Sequence, residues 1–61
     1  MKTKEEIENR IYDLERRIAS NEYWLEGMSN PMKVRRREKE IRDDKREIKI
    51  LEQELNTLPQ I

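Results

Sequence analysis

Neither cysteine nor histidine occurs among the 61 residues, and phenylalanine is missing as well. Without thiol or imidazole there is no disulfide, no thiolate or imidazole metal site, no cysteine nucleophile and no histidine general base. Glycine occurs once and proline twice, so the chain has few places where regular structure must break. Hydrophobic residues make up 33% and aromatic ones 5%, against roughly 45 to 50% apolar in an ordinary globular domain. No apolar run is longer than the Tyr23, Trp24, Leu25 triplet, which leaves no signal-peptide core or membrane span and predicts a cytosolic protein.

Charge is what the sequence does have. Asp, Glu, Lys and Arg supply 46% of the residues, 14 of each sign, for a net charge of +0. Low hydrophobicity by itself suits disorder, but the apolar residues recur at helical intervals, and periodicity decides for helix. Thr3 with Glu6 three places on reads as a capping box that opens a first helix over about residues 4–27. Ile7, Ile11, Leu14, Ile18, Asn21, Leu25 and Met28 then alternate steps of four and three, a heptad seam with one polar break at Asn21.

Gly27, Met28, Ser29, Asn30 and Pro31 gather stop and start signals. Gly27 in the left-handed conformation would end one helix, and Asn30 would cap the next with Pro31 in its first position. The turn is expected at about 28–30 and a second helix at about 31–58, halted by Pro59 with Gln60 and Ile61 as a tail. Val34, Ile41, Ile48 and Leu55 recur every seven residues, joined by Leu51 and Leu58 towards the C-terminus. Folding back sets Leu25 opposite Val34, Ile18 opposite Ile41, Ile11 opposite Ile48 and Ile7 near Leu51. Between these layers Asn21 meets Arg37 or Glu38, and Leu14 meets Asp44 or Lys45. The predicted fold is all-α: a two-helix antiparallel, coiled-coil-like hairpin.

A chain this short buries only about 60% of its unfolded surface. The half-polar seam, with Tyr12, Tyr23, Trp24, Met32 and Ile50 lying off it, predicts self-association, a dimer of hairpins forming a four-helix bundle being favoured. That architecture is similar to the bacterial plasmid copy-control RNA-binding hairpin, without a shared motif. Glu52 to Asn56 come nearest to the motif of the hairpin phosphatases of sporulation, but lack its serine and final aspartate.

Two clusters are candidate binding surfaces. Residues 33–49 hold nine basic against five acidic side chains, and Arg35, Arg36 and Arg37 stand near a helix N-terminus, where the macrodipole disfavours cations. An anionic partner, protein or phosphate backbone, would explain them. So would neutralisation by Arg36 with Glu40 and Glu38 with Arg42, alongside the negative end of the first helix. Tyr23, Trp24, Met28 and Met32 form the second cluster, of residue types that carry binding energy at interfaces. Consecutive residues diverge by about 100°, so Tyr23 and Trp24 cannot both enter the seam, and at least one is expected outside. The alternative is an apolar plug closing the loop end or sealing a dimer. Asn21 is expected to fix register.

Carboxylate groups such as Glu5, Glu6 and Glu8, or Asp43, Asp44 and Glu47, are what any solvated helix contains, so catalytic, metal and cofactor-binding residues are expected to be none. The function expected is a non-enzymatic protein-binding module. Chains of this kind are frequent among phage and mobile-element regulators, which makes an inhibitor of a host process one expectation. A nucleic-acid-binding hairpin and a purely structural oligomerisation module are the other readings.

Overall fold

The computed structural model describes residues 3–58, and over these the chain is an all-α hairpin of α1 (Lys4–Leu25) and α2 (Pro31–Thr57). At the start of each helix a side chain accepts free amide groups, as the sequence predicts. Thr3 Oγ1 accepts the Glu6 N–H at 3.2 Å. Asn30 Oδ1 accepts the Met32 and Lys33 N–H groups at 3.0 and 3.4 Å, with Pro31 at the start of α2. Such a cap is worth about 0.5–2 kcal/mol, which matters in a chain with so small a core.

The first helix stops at Leu25, two residues short of the expected end, and Gly27 does not take the left-handed conformation. Its final carbonyls are met instead by a tightened turn, in which Gly27 N–H donates to Trp24 O at 3.3 Å and Met28 N–H to Leu25 O at 3.2 Å. Bonds spanning three residues satisfy the helix end without positive φ. The second helix closes at Leu58, whose extended backbone (φ −68°, ψ 141°) is the geometry proline imposes on the residue before it. The stop at Pro59 and the tail of Gln60 and Ile61 lie outside the described residues.

Ile7, Leu14 and Leu51 are the buried centre of the core, with Ile11, Ile48, Leu55 and Leu58 packed against them. Ile18 and Ile41 are buried nearer the turn, while Leu25 and Val34 are half-buried. Polar residues take the intervening seam positions. Asn21 (4% exposed) accepts a 2.8 Å bond from Arg37 Nη1, so it meets Arg37 and not Glu38. Asp44 (2% exposed) occupies the interior position in preference to the exposed Lys45.

Asp44 is held by a guanidinium fork. Arg17 Nε donates to Oδ2 at 2.8 Å and Nη2 to Oδ1, and Arg17 also lies 3.3 Å from Glu40. Hydrogen bonding to Asp44 holds the Arg17 pKa above its usual value, against the opposing effect of desolvation. One heptad away, Arg10 Nε donates to Glu47 at 2.8 Å. That bond and the charge behind it lower the Glu47 pKa below its usual 4.5. All these cross-helix ion pairs lie on one broad face of the hairpin, because Arg10 and Arg17 are seven apart. No described helix is long and apolar enough to cross a membrane.

Three outcomes follow from these contacts. A Cβ at Gly27 would meet nothing within 4 Å and needs no left-handed backbone, so Gly27→Ala should raise stability by about 0.4–1 kcal/mol in chemical denaturation followed by circular dichroism. Arg17→Met strands a buried carboxylate and should cost about 2–3 kcal/mol, less than a fully buried pair because Arg17 is half-exposed. Adding Asp44→Leu should recover most of that loss, since an apolar seam replaces the ion pair. Glu47 has a depressed folded-state pKa, so its contribution is present above the unfolded value of 4.5 and disappears as pH falls through the lower folded value. An acid titration should therefore show part of the native hairpin's stability lost below pH 4.5, and Glu47→Gln should remove that part.

Candidate functional site at the turn end

The turn end carries the most exposed apolar surface near a concentration of positive charge. Tyr23 and Trp24 are 70% and 55% exposed, so both lie outside the seam and neither plugs the loop end of the hairpin. They pack on each other, ring centroids 5.7 Å apart at 81°, an edge-to-face pair that stiffens both side chains. Met32, at 77%, is more exposed than either ring. Met28 is half-buried just beyond the end of α1.

Two shallow hollows meet at Met28. Tyr23, Trp24, Glu26 and Gly27 line one; Lys33, Arg36, Arg37 and Glu40 line the other. An aromatic depression and a basic one thus share Met28 in their linings. The capped turn is what brings them together, because Asn30 ends the extended stretch and launches α2 with Lys33 and Arg36 in its first two turns.

The three consecutive arginines do not form one patch. Steps of about 100° along a helix send them in three directions. Arg36 and Arg37 both line the basic hollow, Arg37 while reaching inward to Asn21, and Arg35 lines a groove on the other broad face with Glu22, Leu25 and Ile41. The neutralising pairs expected along α2 are also replaced. Among the described residues the ion pairs are Arg10 with Glu47 and Arg17 with Glu40 and Asp44; Glu40 reaches across to Arg17, and Arg36 and Arg42 have no ion-pair partner. Lys33, the first residue of the basic stretch read from the sequence, lines the same hollow as Arg36. The Arg17 fork escaped sequence reading, because no spacing rule makes Arg17 cross to a seam position on the other helix.

Asn21 stands at the inner edge of this region. Its Oδ1 is used by Arg37, while its buried Nδ2 has no partner. Leaving that donor unpaired costs about 1–3 kcal/mol, a penalty consistent with a residue retained for register rather than for stability.

Chemically the arrangement offers π faces, a polarisable sulfur and the cationic groups of Lys33, Arg36 and Arg37 on an open surface. The two hollows that meet at Met28 are open rather than enclosed. No described group of three or more carboxylates is placed to hold a metal. The site has to be read from its own chemistry, since no family model, curated protein or solved structure matches this chain.

Proposed function

We propose that this chain is a non-enzymatic interaction module that docks on a larger protein through its turn end, acting in the cytoplasm. The observation that carries the reading is the juxtaposition at Met28 of the exposed Tyr23 and Trp24 pair with the hollow containing Lys33 and Arg36. Trp, Tyr and Arg are the side chains that most often dominate binding energy, and the edge-to-face pair loses little rotamer freedom on docking. A complementary surface would insert an apolar side chain against the rings and place a carboxylate by Arg36. Covering a partner's surface in this way makes the module a regulator or inhibitor, of the kind mobile elements carry.

The nucleic-acid reading draws on the same basic helix. Net neutrality and the acidic residues of α1 weigh against a phosphate backbone, which rewards an excess of cations.

The site lies outside the core, so Trp24→Ala and Arg36→Gln should each shift folding stability by no more than about 0.5 kcal/mol. Both should release a partner that the native chain retains in cross-linking and pull-down from its host, with circular dichroism unchanged. Retention of that partner by both variants would remove the turn end as the docking surface.

A further inference from the structure

The two broad faces of the hairpin differ. One is closed by the ion pairs of Arg10 and Arg17. The other carries a groove with Leu25 and Ile41 at its floor, Glu22 on the α1 wall, and Arg35, Glu38, Lys39 and Arg42 on the α2 wall. Heptad spacing extends both walls. Glu8 and Glu15 share the flank of Glu22, and Lys49 shares that of Arg35 and Arg42, since residues seven apart lie on one side of a helix. All six of these charged side chains are exposed, and none of them forms an ion pair among the described residues. Between the walls the seam residues Ile11, Leu25, Val34 and Ile48 remain half-buried.

We infer that a second copy of this chain covers this face, making a two-fold dimer in which each α1 lies antiparallel over the partner's α2, with both turns at the same end. The charge pattern selects this arrangement. A dyad running along the helix axes leaves every residue at its own height, so the partner's α1 meets α2 in the register that pairs Arg10 with Glu47 and Arg17 with Glu40 within one chain. In that register Glu22 comes level with Arg35, Glu15 with Arg42 and Glu8 with Lys49. Each step of seven up α1 is a step of seven down α2, and the dyad repeats all three pairs. Glu38, the acid between Arg35 and Arg42 on this wall, falls level with Ala19 and meets no glutamate. The opposite stacking, α1 on α1 with turns at opposite ends, would set the glutamate rows against each other and the cations against each other. The hairpin measures 50 × 14 × 14 Å, so a second copy on this face doubles one thin dimension and completes a four-helix bundle over the exposed half of the seam.

The dimer face shares no residue with the turn-end surface, so either can fail alone, and the dimer would carry both Tyr23 and Trp24 pairs at one end, on opposite outer faces, since Trp24 shares the flank of Arg10 and Arg17.

The test is a charge exchange on the full chain, read by sedimentation equilibrium. The native protein should be a dimer. Replacing Glu8, Glu15 and Glu22 together by Lys, or Arg35, Arg42 and Lys49 together by Glu, should weaken self-association by at least about a hundredfold, because like charges then face each other. Mixing the two variants should restore a dimer containing one of each, an outcome that misfolded variants would not give. A spin label on Ser29→Cys, in a chain with no other cysteine, should report a label-to-label distance well below the roughly 40 Å length of α2. A native monomer, a native dimer unaffected by either exchange, a mixture that stays monomeric, or labels a full helix length apart would each overturn the inference. A native monomer that binds a 20-nucleotide single-stranded DNA with steep salt dependence would assign the cations to a polyanion instead. Trp24→Ala should leave the native mass unchanged.

Discussion

The hairpin is organised around the carboxylate of Asp44, which sits where a coiled-coil seam would ordinarily hold a leucine. A charge that is 2% exposed has to be paired in place. The Arg17 fork does this from the flank of the opposite helix, and so fixes both the height and the rotation of one helix against the other. A one-layer slip would bury the carboxylate unpaired. The half-polar seam therefore gives up apolar burial near its middle and gains a single register, reinforced by Arg10 with Glu47 and by Arg37 with Asn21.

That register also determines which surfaces are left open. Arg17 and Arg10 draw their acidic partners to one broad face, so Glu40 and Glu47 are not available to the cations elsewhere on α2. The neutral composition conceals this: charges of both signs are equal in number, but on one broad face they pair across the helices and on the other Arg35 and Arg42 stand without an ion pair among the described residues. Arg36 is left with Lys33 at the turn, and Arg35, Arg42 and Lys49 are left along the grooved face.

Most of the architecture was legible in the sequence because it rests on local rules. Thr3, Asn30 and Pro31 mark helix starts through side-chain chemistry that depends on no distant residue. The heptads placed Ile7 by Leu51 and limited the partners of Asn21 and Leu14 to two choices each. What escaped was set by competition between long side chains. Glu40 could serve Arg36 on its own helix or Arg17 on the other, and the buried Asp44 next to Arg17 decides for the cross-helix partner. Gly27 shows the converse. Its presence suggested a left-handed stop, yet bonds spanning three residues already satisfy the carbonyls of Trp24 and Leu25. At the turn end the exposure of an aromatic residue was legible, whereas the union of its hollow with a basic one needed the path of the turn itself.

The oddity of arginines at the start of α2 finds its reason in the same path. Cations there oppose the macrodipole of their own helix, at about 0.3–1 kcal/mol each near the surface. The last turn of α1 contains no basic residue and the first turn of α2 no acidic one, so neither helix compensates its own dipole at this end. Antiparallel packing places the negative end of α1 beside the positive end of α2. Lys33 and Arg36 line a hollow with Met28, which also lines the hollow of the ring pair. Both cationic side chains are exposed, as are the two rings. On the proposed reading, a surface of that kind suits a partner that supplies carboxylates and apolar groups together.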